Sequence, residues 1–353
     1  MYSHLRFDID SRPEIIYAKG TWQKNPDLHR LDNPILQDHG CLKSGSKWTP
    51  AHMQAFHIVP ILDLEIHHIL PQEYMPNDKE LEDDFHLFWS MSRDDIYDKN
   101  WEKLCQADLN ICAKTRVIIM SNLTDLMALV ERRRSKDSDL SSTSNEGDMI
   151  EPQTWAFSGN ICRAFLDILN LHQKKLPSWD YVTSTKKGVH RPITILDSVY
   201  RHARNDGAIV HVNIDRSTLP FIWTEVKSLE YAPEPTTRNA YISKIPQKAA
   251  EALSFVQSHW QTAGINIKDQ ESFGLEFSHR YASFWHAIFP KEYLLDVHHF
   301  TMLSHTHAIA LKRSKVFDLV EADERREFAR CFVGLLNYIS KGNPLIGDYQ
   351  VVQ

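Results

Sequence analysis

A chain of 353 residues with 42% hydrophobic and 24% charged side chains can bury a sizeable core, which excludes a disordered or fibrous protein. Its formal net charge is -6, from 40 Lys+Arg against 46 Asp+Glu, which excludes bulk electrostatic capture of nucleic acid and leaves only a local basic groove. No run of about 18 apolar residues occurs, which excludes a helix spanning a membrane.

The opening stretch MYSHLRFDIDSRPEIIY lacks an apolar h-region, so no secretory leader is expected. Five widely spaced cysteines (Cys41, Cys105, Cys112, Cys162 and Cys331) form no CxxC pair and read as reduced thiols. An intracellular location, nucleus or cytoplasm, is expected. Residues 1–50 show only short apolar pieces and read as loops with a strand or two. From Pro50 the apolar residues recur at three- and four-residue steps, in AHMQAFHIVPILDLEIHHIL, ELEDDFHLFWSMSRDDIY and TDLMALVERRR, which predicts helices. Residues 134–150 are nearly all Ser, Asp, Asn, Thr and charge, too polar to offset their ordering entropy, and read as a disordered linker.

Beyond the linker the signals alternate. Helix is predicted over 154–173, strands over 208–213 and 219–229, an amphipathic helix over 249–263 with Ala249, Leu253, Val256 and Trp260 on one side, two aromatic strands over 272–295, and a last helix over 322–339. The expected organisation is a mostly helical N-terminal region (1–133), a linker (134–150) and an α/β domain built around a mixed sheet (151–353).

Chemistry concentrates in ARNDGAIVHVNIDRSTLPFIWTEVKSLE. If its two strands form a hairpin turning near 215–218, Asp206 faces about Lys227 and Ala208 faces Glu225. Residues 225 and 227 share a face by strand alternation, so Asp206, Glu225 and Lys227 converge. Asp215 is the rival acid, but at the turn it lies roughly 23 Å from residue 225 at about 3.3 Å per residue. Two carboxylates suit Mg²⁺ or Mn²⁺, a hard cation that acidifies a bound water, and a lysine beside them would orient that water or stabilise developing negative charge.

The run Arg204-Asn205-Asp206-Gly207-Ala208-Ile209-Val210 followed by Trp223-Thr224-Glu225-Val226-Lys227 resembles the PD-(D/E)XK nuclease superfamily, with eighteen residues between Asp206 and Glu225. More narrowly it resembles the fungal nuclease-like domains found upstream of fungal-type protein kinase domains, in which a helix with glutamines follows; Gln247 and Gln257 stand there. Aromatic strands over 273–295, then Val316-Phe317-Asp318-Leu319 and a last helix, extend the likeness over residues 150–345. Asn205 stands where the family has proline. The resemblance implies a restriction-endonuclease-like core hydrolysing phosphodiester bonds, DNA ahead of RNA. It assigns the metal to Asp206 and Glu225, assistance to the attacking water to Lys227, and orientation of a metal-bound water or phosphate to Gln247. It offers Asp167 as a first-helix acid and suggests a fungal source.

Blander explanations compete for the other motifs. His298-His299 and His305-x-His307 lack the companion spacing of a zinc site. His67-His68 reads as part of a core or surface helix, Asp83-Asp84 and Asp94-Asp95 as solvated helix faces, and Arg132-Arg133-Arg134 as a solvated helix end. The alternative to a nuclease is a catalytically inactive nuclease-like module that binds protein or nucleic acid, with residues 1–133 as the surface for a protein partner. A small-molecule enzyme built on the N-terminal helices has only the acidic pairs behind it.

Overall fold

The computed structural model describes residues 47–77, 91–97, 147–173, 179–183, 190–195, 198–212, 218–227, 244–263, 267–299 and 308–346, with Lys79, Leu81, Ser121 and Thr124. Its elements in chain order are α1 (Pro50–Ala55), β1 (Ile58–Leu64), α2 (Arg93–Tyr97), α3 (Gly147–Gln173), β2 (Trp179–Thr183), β3 (His190–Ile195), β4 (Ser198–Arg204), β5 (Gly207–Val212), β6 (Thr218–Lys227), α4 (Ile245–Ala263), β7 (Gln270–Ser278), β8 (Tyr281–Phe289), α5 (Lys291–His299), β9 (Ile309–Ser314), β10 (Phe317–Asp318) and α6 (Ala322–Lys341).

An eight-stranded mixed sheet runs β1-β9-β8-β7-β6-β5-β2, with β10 paired to β8. The β6/β7 and β1/β9 pairs are parallel and the others antiparallel. Strand alternation divides the core in two. One face carries Phe273, Leu275 and Phe277 against Phe157, Ile161 and Phe165 of α3 and Phe328, Phe332 and Leu336 of α6. The Phe165 and Phe332 rings lie 4.8 Å apart and those of Phe284 and Phe328 5.4 Å apart, inside the range of favourable aromatic pairs. The other face carries Trp223, Trp285, Ala287 and Phe289 against Ala249, Leu253 and Val256 of α4, Tyr293 and Val297 of α5, and Phe56. The molecule is thus α/β, a mixed sheet with helices on both faces.

Several elements depart from the expectation. Ile58–Leu64, read within a helical stretch, is a strand pairing with β9 from Ile58↔Ile309 onward. A short continuous apolar run fits a buried strand as well as a helix, and Pro60 opposes helix while being tolerated at a sheet edge. Helix α3 begins at Gly147 and runs through Pro152, so residues 147–150 belong to it rather than to a linker. Residues 291–295, read as strand, open α5 after Pro290. Residues 134–146, the Asp83-Asp84 pair, the arginine run at 132–134, Asp215, His305 and His307 lie outside the described residues.

Helix α4 shows the expected Ala249, Leu253, Val256 stripe, but the rest of it is buried too: Glu251, Ser254 and Ser258 are covered, and His259 Nε2 lies 2.7 Å from the Pro220 carbonyl of β6. The reason is a separate two-stranded hairpin, β3–β4, which packs across α4. No helix among the described residues is long and apolar enough to cross a membrane.

Candidate active site

Strands β5 and β6 form the antiparallel pair that the sequence predicts, in a shifted register. Gly207 faces Thr224 and Ala208 faces Trp223, rather than Ala208 facing Glu225. Asp206 donates its amide to the Thr224 carbonyl (3.1 Å), and extending the register by one residue puts it level with Glu225, not Lys227. The turn centres earlier than assumed, since Val212 already faces Thr218, and the register shifts by one between Ile209 and Val210, leaving Phe221 as an extra residue on β6. The error is two residues, an even number, so the faces are preserved and the three groups still converge.

Asp206 is held by the main chain around it. Its Oδ2 accepts from the Val226 amide (2.8 Å), and its carbonyl accepts from Trp155 Nε1 on α3 (3.1 Å). The next residue must be small, because a Cβ on Gly207 would run into the Tyr181 hydroxyl. Tyr181 Oη and Thr224 Oγ1 are hydrogen-bonded at 3.1 Å, which closes the floor beneath Asp206.

Glu225 is buried on the α4 side of the sheet. Its Oε1 takes the Lys227 ammonium and the Gln247 amide Nε2 (2.8 Å), and Lys248 Nζ lies 3.8 Å away. Gln247 Nε2 also donates to Glu251 Oε1 (2.7 Å), so Gln247 orients two carboxylates rather than facing open solvent. Lys248 reaches Glu276 on β7 at 3.3 Å, and Glu276 Oε2 accepts from Trp285 Nε1 at 2.9 Å. Sequence reasoning missed Lys248, Glu251 and Glu276. The i, i+4 spacing of 247 and 251 was available; the in-register pairing of Glu225 with Glu276 across parallel strands was not.

The charges set each group's protonation. Burial pushes Asp206 up to about 7, the Glu225 carboxylate adds to this, and Lys227 and the Val226 amide work against it. Burial also raises Glu225, but the Lys227 and Lys248 ammoniums outweigh burial and hold it below its ordinary value. Burial would lower Lys227, yet Glu225 and then Glu251 hold it above its ordinary value, so it is a fixed cation. Glu251 is raised well above its ordinary value, first by burial and then by Glu225.

The donor set fits a hard divalent cation. Glu225 Oε2 is a buried carboxylate oxygen to which neither Lys227 nor Gln247 donates, Glu251 hydrogen-bonds the same carboxylate, and Asp206 stands level with it beside the neighbouring strand. Mg²⁺ is commonly bound by one or two carboxylates with water or phosphate completing the shell. Among the described residues no group of three or more His, Cys, Asp or Glu forms a fuller cage.

The remaining motifs lie elsewhere. Asp167 lies on the exposed side of α3 and is raised by partial desolvation and then by Asp180; Asp206 is not among the charges acting on it. Gln257 is buried further along α4. The His67 and His68 rings lie 4.1 Å apart and tilted by 42° in a short 3₁₀ turn. Asp95 caps α2 reciprocally with Ser92: the Ser92 amide donates to Asp95 Oδ2 (3.0 Å) and the Asp95 amide to Ser92 Oγ (3.1 Å). No protein-family model and no curated protein matches the chain.

Proposed function

We propose that the protein is a Mg²⁺-dependent nuclease that hydrolyses phosphodiester bonds of DNA, ahead of RNA, on a restriction-endonuclease-like core. The observation that carries this reading is the convergence of Asp206, Glu225, Lys227 and Gln247 from β5, β6 and α4 on one spot of the sheet. The mixed sheet with helices on both faces is compatible with such a core. The spacing and types of the four residues match what the PD-(D/E)XK resemblance implies.

Asp206 and Glu225 would hold the cation. When bound, Mg²⁺ supplies a water of lowered pKa and neutralises phosphate charge. Asp206, ionising near 7, is half-charged at neutral pH without a cation and is drawn fully to the carboxylate by one. Lys227, a fixed ammonium, serves as an electrostatic stabiliser of developing negative charge and a hydrogen-bond donor, not as a base. Gln247 holds Glu225 in place.

A locally basic stretch of sequence answers the acidic net charge. Between Asp180 and Asp206 the sole acid is Asp197, against Lys186, Lys187, Arg191, Arg201 and Arg204. The β3–β4 hairpin carries three of these and runs through Asn205 directly into Asp206. Phosphate contacts from such a segment supply affinity without sequence preference.

The second reading, a catalytically inactive nuclease-like module binding protein or nucleic acid, draws on the near-complete burial of Glu225 and its engagement by Lys227 and Gln247, with the Lys248 ammonium 3.8 Å away. The test is incubation of purified protein with Mg²⁺ or Mn²⁺ and linear, circular and single-stranded DNA and RNA. Cleavage that falls by about 10²-fold or more in Asp206→Ala and Lys227→Ala is expected. An inert wild type that still binds Mn²⁺ favours the module, and an inert wild type that binds no cation removes both the metal and the nuclease.

A further inference from the structure

Glu225 and Glu276 sit opposite each other on β6 and β7, in register on adjacent parallel strands. Strands in a sheet are about 4.8 Å apart, and like charges at that separation repel. Both side chains are almost fully buried, so water screens them little. A cation between them, or a proton on one of them, relieves that repulsion.

What lies there is Lys248, itself 1% exposed, with Nζ 3.3 Å from Glu276 and 3.8 Å from Glu225. The ammonium is shared between the two carboxylates as a buried ion pair with each. Nζ makes no hydrogen bond to either acid; it sits at electrostatic distance from both. Glu276 is fixed independently by Trp285 Nε1, and Glu225 by Gln247 and Lys227. The two carboxylates are therefore held by other groups, leaving a place between them that a compact cation fills.

Resting on the nuclease reading above, we infer that Lys248 is a positioning residue that occupies the place of a second divalent cation, so that the site takes one Mg²⁺ per chain. Nuclease sites with two metals place them about 3.5–4 Å apart. Here Glu225 Oε1 is turned towards the ammoniums, and neither Lys227 nor Gln247 donates to Oε2. Two ammoniums, Lys227 and Lys248, balance the Glu225 and Glu276 charges, so a second divalent ion would have to displace one of them. Lys248 is the one wedged between the acids. Lys248 thus keeps Glu225 and Glu276 from opening a second site and fixes the Glu225 carboxylate for the first.

The test is Mn²⁺ titration calorimetry on the full chain, with thermal unfolding at zero and saturating Mn²⁺. The proteins are wild type, Lys248→Met and the double variant Lys248→Met with Glu276→Gln. The expected result is one Mn²⁺ per wild-type chain, two per Lys248→Met chain, and one again in the double variant. Removing the ammonium creates the second place and removing Glu276 closes it. Lys248→Met should also show a larger Mn²⁺-induced rise in Tm than wild type, and if it folds only with Mn²⁺ present, that rescue has the same meaning. A Lys248→Met chain that binds one Mn²⁺ with the wild-type Kd overturns the inference while leaving the nuclease reading standing. So does one that stays unfolded in Mn²⁺ while the double variant folds and binds as wild type. A wild type that binds no Mn²⁺ overturns both.

Discussion

Asp206 is a half-buried carboxylate and Glu271 a buried one, and their surroundings drive them in opposite directions. Asp206 is pushed up to about 7 by burial and then by Glu225, whereas an unfolded aspartate ionises near 4. Between those values the folded chain holds a proton that the unfolded chain has lost. The stability it contributes to the cation-free protein is therefore full below about pH 4 and disappears as pH rises through about 7. Urea-unfolding midpoints at several pH values should show this decline in wild type but not in Asp206→Asn; parallel curves would remove Asp206 as its source. The same proton competes with a cation, so Mn²⁺ affinity should weaken as pH falls below about 7. Burial raises Glu271 too, but His286, the Leu345 amide and the Tyr338 hydroxyl outweigh it, and the net shift is downward. Its contribution is present above its unfolded value and lost in acid. Glu271 Oε2 accepts from Tyr338 Oη (2.9 Å) and the Leu345 amide (3.0 Å), fastening the chain beyond α6 to β7. Glu271→Ala should cost about 2–4 kcal/mol at neutral pH by leaving these donors buried and unmatched, measurable by urea unfolding.

At the scale of elements, β6 is the strand on which the site depends. Its Phe221 bulge adjusts the register against β5, and its parallel pairing with β7 sets Glu225 beside Glu276. Trp223, two residues before Glu225 on the same face, lies flat over Gly274 of β7 and donates through Nε1 to Ser272 Oγ (3.0 Å). A Cβ at 274 would enter the indole ring. Gly274→Ala should force the indole aside, costing about 1–3 kcal/mol as overpacking and displacing Glu225 with it. Chemical denaturation reads the first effect and Mn²⁺ calorimetry the second; a variant of wild-type stability would mean that the indole is not confined there. Helix α4 begins with Pro246 in its first turn, where a missing amide hydrogen costs nothing. Its burial on all sides follows from the β3–β4 hairpin lying across it, so the outer polar face is a second interface and Gln247, Lys248 and Glu251 work out of contact with bulk water.

Over the whole molecule, residues on either side of 78–146 build one sheet. Strand β1 pairs with β9, the Tyr293 hydroxyl donates to the Phe56 carbonyl (2.6 Å), and Phe56 packs in the core beside Trp223 and Trp285. Buried Arg325 of α6 donates to the Leu319 (3.0 Å) and Val320 (2.6 Å) carbonyls and to the Met91 carbonyl. A chain shortened to begin at Gly147 would lose β1 and Phe56 and expose the β9 edge, an aggregation hazard. Such a chain should unfold at lower urea than the full protein and self-associate on sizing columns. Full stability in the shortened chain would make the earlier residues an appendage.

By itself the sequence determined the helices near 154–173, 249–263 and 322–339, the β5–β6 hairpin, the face shared by Glu225 and Lys227, and the convergence of Asp206 on it, whereas β2, the β3–β4 hairpin and β9 went unread and Gln247 was indicated only by the family resemblance. The features it determined follow from local periodicity and strand alternation, which act over a few residues and are written in residue order. Only the tertiary structure decided that 58–64 is a strand, because an apolar run of that length suits either helix or strand until a partner such as β9 selects one. Only it decided the register, where the position of a turn and one bulged residue move every pair. The same holds for Lys248, Glu251 and Glu276. Their role depends on a parallel neighbour strand and a helix brought over it, and pairings between residues 225 and 276 are set by the packing of the whole sheet rather than by anything near either residue.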